Sequence, residues 1–347
     1  VRVLHVVQSD AFAGVERHVA RLARAQSAHG EQVVVIGGHR ARMVETVDDA
    51  SVRVLPAGSL GQVVRTLRAA SRGADVVHVH MTSAEIAAAL ASVTSRGLPP
   101  VVSTRHFART RGSGPAAGLT ALVARAPVRA QISISQYVAD HVDGGSVVVH
   151  PGIEDQPDGP GAADRARSVL LVQRLEPEKR TDLGVLAFAA SGLHELGWQL
   201  LVAGDGSQRP ALEELVAHEG LGEHVQLLGA RSDVDELMRS AAVLLAPCPV
   251  EGLGLSVLEA MSNGLPVVAA GAGGHLETLA GLDPLALYPP TDVVRAGESL
   301  SVLAASTARR DAYGTAARAV QRSRFTPLSQ VEGTAAVYRA VLQATRP

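Results

Sequence analysis

Hydrophobic residues in this chain recur in two alternating registers. Short runs dominated by Val, Ile and Leu, such as "RVLHVV" at 2–7 and "QVVVI" at 32–36, are separated by stretches in which apolar positions return every three or four residues. In "VERHVARLARAQSAHG", 15–30, Val15, Val19 and Leu22 share one helical face and Gly30 closes it. Continuous apolar runs suit strands covered on both faces, and the periodic stretches suit the helices that cover them. Further strands are predicted at 52–55, 75–80, 100–104, 131–134 and 147–149. Strand, helix, strand in repetition predicts a parallel, doubly wound α/β sheet.

The pattern lapses at 150–168, "HPGIEDQPDGPGAADRARS", where Pro, Gly and Asp crowd together as in a linker. It starts afresh with strands predicted at 168–175, 198–206, 225–230, 242–248 and 266–271. A chain of 347 residues exceeds what one core usually organises. Two Rossmann-like domains are therefore expected, 1–160 and 161–326, with an amphipathic helix over 327–347 packing back on the first. Paired domains of this kind hold ligands beyond the carboxyl ends of their strands, in a central cleft. The strand-to-helix loops are where chemistry is expected.

Composition narrows the function classes. A formal net charge of −2 gives no basic surface for nucleic acid. Residues 1–160 carry 16 Arg against 13 Asp and Glu, a net of +3, and residues 161–347 carry 16 Lys and Arg against 21, a net of −5, an asymmetry too small to specify a partner. Cys248 is the single cysteine, which rules out an internal disulfide and a cysteine zinc site and suits a reducing cytoplasm. The opening "VRVLHVVQSD" reads as a strand rather than a signal peptide, and no apolar run is long enough to span a bilayer. Peripheral membrane contact and oligomeric state stay open.

Two loops carry candidate chemistry. "PVEGLGLSVLEAMSNGLPVVAA", 249–270, places Glu251, Gly252 and Gly254 after a strand and before a helix bearing Glu259. Small residues there let a phosphate approach the unpaired N–H groups of the helix start, aided by its dipole. Glu251 and Glu259 lie eight residues apart, up to about 12 Å along a helix, the scale of a nucleotide-sugar's hydroxyl-bearing ends. The second loop, "RLEPEKRTD" at 174–182, contains Lys179, the chain's one lysine among 31 arginines. Arg174 and Lys179 together offer a planar fork and a mobile point charge to a diphosphate.

With "FAGVERHV", "VVSTRH", "SISQYVAD", "HPGIE", "QRLEPEKRTDL", "LLVAGDGSQRPAL" and "LLGARSDVDELMRSAAVLLAPCPVEGLGLSVLEAMSNGLPVVAA" in this order, the chain resembles the GT-B glycosyltransferases of family 4. The resemblance implies two Rossmann-like domains facing a cleft and sugar transfer from a nucleoside-diphosphate sugar, UDP being the commonest carrier. Anomeric configuration would be retained, with no metal or other cofactor. It implies that Arg174 and Lys179 hold the diphosphate, helped by backbone N–H groups over Gly252, Leu253, Gly254 and Leu255. Glu251 would bind the donor sugar and Glu259 the ribose, with Gly204, Asp205, Gly206 and Arg231 bordering the base. Gly14 would lie near the diphosphate, and His106 would bond a hydroxyl of the transferred sugar. The N-terminal loop departs from the frequent Gly-Gly of the family, reading Ala13-Gly14.

Other signals admit plainer readings. Asp233 and Asp235 spell D-x-D, but at a predicted helix start, where acidic residues cap. His78 and His80 alternate on a strand and so share a face, yet the sequence supplies no third ligand beside them. "RHFARTR", 105–111, is read equally as a solvated loop or an acceptor-side anion site. The acceptor is not specified beyond a small molecule or a glycan. An epimerase acting on the sugar nucleotide itself, or a sugar-nucleotide-binding protein without catalysis, are the alternative readings.

Overall fold

The computed structural model of the chain describes residues 1–93, 97–112 and 117–345. It divides into two compact units, Val1–Gly152 joined by the segment from Pro327 onward, and Ile153–Thr326. The first unit thus closes at Gly152 rather than at 160. Residues 346 and 347 of the tail lie outside the described residues.

In the first unit seven strands, β1 (Arg2–Val7), β2 (Gln32–Ile36), β3 (Arg53–Leu55), β4 (Val76–His80), β5 (Val101–Arg105), β6 (Val128–Ser133) and β7 (Val147–Val148), form one parallel sheet. Their order is β3-β2-β1-β4-β5-β6-β7, so the winding reverses between β1 and β4. The central strands β4 and β5 are buried along their whole length, with His78, His80, Ser103, Thr104 and Arg105 buried among their valines. Helix Pro327–Ala344 lays Val337, Tyr338 and Val341 against Val3, Val76, Val102, Ile132 and Val149, while its Val331 meets Leu22 and Ala25 of helix Gly14–Ala28.

The second unit repeats the design with β8 (Ser168–Val172), β9 (Gln199–Ala203), β10 (Val225–Gly229), β11 (Val243–Ala246), β12 (Val267–Ala270) and β13 (Leu287–Tyr288), ordered β10-β9-β8-β11-β12-β13 and parallel. Here the winding reverses between β8 and β11. Strands β8 and β9 stop short of their predicted ends because their exits touch: a Cβ on Gly204, φ +150°, would fall 1.8 Å from the carbonyl oxygen of Gln173. Only glycine admits that approach.

Candidate functional site

The loops after β8 and β11 leave the second sheet at its switch point, where open α/β sheets bind ligands. Lys179 Nζ donates to Glu251 Oε2 at 2.6 Å, joining the two loops that the sequence singled out. Lys179 ends a single 3₁₀ turn, Pro177–Lys179, and Arg180 after it takes a left-handed φ of +52°. The Gln173 side chain donates to the Lys179 carbonyl and to Thr181 Oγ1, both at 2.9 Å, which fixes the turn. Both charged side chains are largely buried, 16% and 25% exposed. Burial alone would lower the lysine's pKa and raise the glutamate's, but their mutual attraction outweighs it in each case, so the pair is fully ionised at neutral pH.

Glu251 is held through its backbone as well, its carbonyl accepting from Gly274 N–H at 2.8 Å. Gly252 and Leu253 pack so tightly under Gly274 that a Cβ there would meet them at 2.4 Å. Gly254, φ +91°, turns the chain into helix Leu255–Ser262, and a Cβ on it would press on the His275 ring at 3.1–3.3 Å. His275 went unnoticed in the sequence. Burial holds its pKa below the usual value, outweighing the Glu251 charge and the bond from Nδ1 to the Ala270 carbonyl at 3.0 Å, both of which raise it, so the ring behind the turn is neutral. The only signal was the compact "GAGGH" after β12. Glu259 lies within the same helix, 4% exposed.

The remaining donor-side candidates border this locus within the unit. Arg174 is exposed and donates to Glu178 at 2.8 Å, an i,i+4 pair. Gly204 N–H donates to the Gly229 carbonyl at 2.8 Å, the Asp205 carbonyl accepts from Leu175 N–H, and Gly206 N–H donates to the Asp205 carboxylate. "AGDG" is therefore a packed junction between strand ends. Arg231 forms a fork with Asp233, Nε–Oδ1 2.8 Å. Asp233 is the N-cap residue of helix Val234–Ser240 and Asp235 lies in its first turn, as the helix-start reading expects, although the Asp233 carboxylate takes the Arg231 guanidinium rather than closing the usual side-chain cap. Cys248 is buried beside this loop, with its Sγ 3.4 Å from the Glu178 carbonyl and its thiol pushed up to about 11 by burial.

In the first unit Gly14 opens helix Gly14–Ala28, with nothing within 4 Å of where its Cβ would stand. His106 follows β5 and is 8% exposed. It does not stand alone. His5, His78 and His80 sit on one face of β1 and β4, and His18 comes from the helix above, its ring edge-on to His106 at 4.7 Å between centroids. The lack of a third imidazole beside His78 and His80 is thereby corrected, because register pairs His5 with His78 and His80 with Thr104, two residues before His106. "RHFARTR" is solvated only in part, because Arg109 is exposed whereas Arg105 and Arg111 are buried. Arg111 donates bidentately to Glu85, at 2.7 Å from both Nε and Nη2, and to Asp143 at 2.6 Å, and Arg105 donates to Asp143 at 3.3 Å. These arginines bind carboxylates of their own unit, because a buried guanidinium needs a counter-charge.

Two family models divide the chain. "Glycosyltransferase Family 4" matches residues 12–156, and "Glycosyl transferases group 1" matches 152–320. The chain belongs to glycosyltransferase family 4. Over 243 residues it is 30% identical to the 2-deoxystreptamine glucosyltransferase of Streptomyces kanamyceticus, an alignment covering 62% of this chain and 58% of that one, less than two thirds of the relative's length. It is 28% identical to the phosphatidyl-myo-inositol mannosyltransferase of Mycobacterium leprae over 90% of each chain. The crystal structure of Anabaena HepE in complex with UDP and glucose superposes with a TM-score of 0.79, at 21% identity, over 97% of this chain and 99% of that one. That likeness shows the GT-B fold for this family 4 glycosyltransferase. Among the described residues no helix is long and apolar enough to cross a membrane.

Proposed function

We propose that this chain transfers a sugar from a nucleoside-diphosphate sugar, UDP-linked in the first instance, to a hydroxyl of a small-molecule or glycan acceptor, with retention and without a metal ion. The observation that carries the reading is the Lys179–Glu251 pair at the switch point of the second sheet, beside a glycine-led helix start. A diphosphate laid against the N–H groups of Gly252 to Leu255 meets the helix dipole and draws the ammonium away from Glu251. Glu251 is then released to accept hydrogen bonds from donor-sugar hydroxyls. Arg174, exposed and paired with Glu178, turns to the same phosphates. Glu259 is assigned the ribose hydroxyls, Gly204 to Gly206 and Arg231 the base, Gly14 the diphosphate, and His106 a hydroxyl of the transferred sugar.

As the anomeric carbon–oxygen bond to the diphosphate breaks, negative charge grows on the leaving phosphate, where Lys179, Arg174 and the helix start stabilise it in place of a metal. The acceptor oxygen bonds to the anomeric carbon from the same face, and its proton passes to the departing phosphate oxygen. HepE bound to UDP and glucose supports the choice of UDP, and the glucosyl- and mannosyltransferase relatives support a hexose and a polyol acceptor.

The test is a transfer assay over a panel of sugar nucleotides and acceptors, with the product's anomeric configuration read by proton NMR. Glu251→Gln and Lys179→Met are each expected to lower the rate at least about 100-fold, the size of a lost transition-state contact. Near-parental rates in both would sink the site assignment, and an inverted product would sink retention. Activity lost to a chelator and restored by manganese would overturn metal independence.

A further inference from the structure

The polar layer between the first sheet and helices Gly14–Ala28 and Pro327–Ala344 is a hydrogen-bonded chain with a direction. Its members are Thr104, His78, Tyr338, Gln26, His5, His80 and His106, all buried. Gln26 Oε1 lies 2.6 Å from His5 Nε2, and Gln26 Nε2 lies 3.4 Å from the Tyr338 hydroxyl. Were the amide reversed, two nitrogens would stand 2.6 Å apart, closer than an N–H···N bond permits. The amide oxygen therefore faces His5, and His5 must carry its proton on Nε2. Burial holds His5 at about 4 and His106 at about 3, and pushes His78 and His80 below their usual value, so each ring is neutral and has one N–H.

The rest follows by counting. His5 Nδ1 can only accept, so His80 Nε2, 3.0 Å away, donates to it. His80 Nδ1 can then only accept, so His106 Nε2, at 3.1 Å, donates. On the other side of Gln26 the amide nitrogen donates to Tyr338, the Tyr338 hydroxyl to His78 Nδ1 at 2.7 Å, and His78 Nε2 to Thr104 Oγ1 at 2.6 Å. Every ring nitrogen of His5, His78 and His80 is satisfied. Nitrogens of His5, His78 and His80, and of His18, His80 and His106, also converge closely enough for a metal ion, but an ion would have to break this complete circuit.

We propose that Gln26, acting through His5 and His80, fixes the tautomer of His106, so that its Nδ1 is presented to the donor sugar as an acceptor only. This rests on the assignment of His106 to a sugar hydroxyl. Among the described residues Nδ1 of His106 has no hydrogen bond, so it is free for that role. An acceptor-only nitrogen selects a position that bears a proton, and it leaves the hydroxyl's lone pairs to other donors. Gln26, His5 and His80 are positioning residues.

Long-range proton–nitrogen NMR on the full ¹⁵N-labelled chain at neutral pH reads the protonated nitrogen of each ring, with signals assigned by single histidine replacements. The expected result is Nε2–H on His5, His78, His80 and His106. Gln26→Met removes the acceptor three links away. It is expected to mix the His106 tautomers and lower transfer about tenfold, as for one lost hydrogen bond, whereas Gln26→Glu keeps an oxygen on His5 and the Nε2–H form. A parental His106 protonated on Nδ1, a His106 signal unmoved by Gln26→Met, or stoichiometric zinc that shifts the His80 and His106 signals would each overturn the proposal. The parental spectrum decides the matter even if Gln26→Met fails to fold. Undiminished transfer by His106→Ala would instead sink the sugar-hydroxyl assignment, while the tautomers, read without donor, would still stand.

Discussion

Lys179 is the residue on which donor chemistry turns, and its replacement by arginine separates charge from shape. A compact ammonium 2.6 Å from Glu251 makes one directional contact that a phosphate can take over. A guanidinium would engage the same carboxylate through two parallel bonds, a stronger and flatter pairing that resists exchange. Lys179→Arg is therefore expected to leave thermal stability within about 1 kcal/mol of the parent and to cut kcat about tenfold or more. Full activity would show that only charge matters and that a lone lysine is an accident of composition. The sequence pointed to Lys179, Glu251 and Arg174 by their loops and residue types. It did not show that the first two pair, since partners 72 residues apart meet only through the order of β8 and β11. The Arg174–Glu178 pair, by contrast, is local and lay open in "RLEPEK".

At the scale of elements, the turn into helix Leu255–Ser262 is where conformation and ligand binding coincide. Gly254 takes φ +91°, and a Cβ there would stand 3.1 Å from His275 Cδ2 and 3.3 Å from Val257 Cβ. Gly254→Ala is thus strained twice, by its backbone and by its neighbours. It is expected to cost about 1–2 kcal/mol of stability in denaturant unfolding. It is also expected to weaken nucleoside-diphosphate binding about tenfold by calorimetry, because displacing the turn re-aims the N–H groups. Unchanged affinity would mean that the helix start does not hold the phosphates. Elements were legible wherever burial on both faces gave an apolar run, as in β2 and β8, or a run rich in Val, as in β1 and β4. β13 has two residues and too little length to show a period. The polar layer escaped notice for a related reason. His5, His78, His80 and His106 are spread over three strand neighbourhoods, and only the parallel register gathers them on one face.

For the whole molecule, that layer sets how stability responds to acid. His5, His18, His78, His80 and His106 are buried and have depressed pKa values, burial being the leading cause in each. Unfolding returns each to about 6.5, so below that pH the unfolded chain binds protons that the folded unit refuses. The sign is therefore fixed: stability falls as pH drops from about 6.5 towards the folded values, about 4 for His5 and about 3 for His106. Each imidazole contributes up to about 1.4 kcal/mol per pH unit, and five together about 7 near pH 5.5, against a typical total of about 5–15 kcal/mol. Paired carboxylates such as Asp143, whose pKa is depressed, lose their contribution only at lower pH, below the usual 3.8. The first unit is expected to unfold near pH 5, with a steep loss between 6.5 and 5 in urea titrations followed by circular dichroism. The second unit carries one such imidazole, His275, and contains Trp198, the chain's one tryptophan. Its fluorescence should therefore change at lower pH than the circular dichroism signal. His18→Gln, which removes one of the five groups, should flatten the slope by about 1 kcal/mol per pH unit. A stability that stays level from pH 7 to 5 would mean that these imidazoles take up protons in the folded state, and the hydrogen-bonded chain would then lack the one-proton rule that gives it direction.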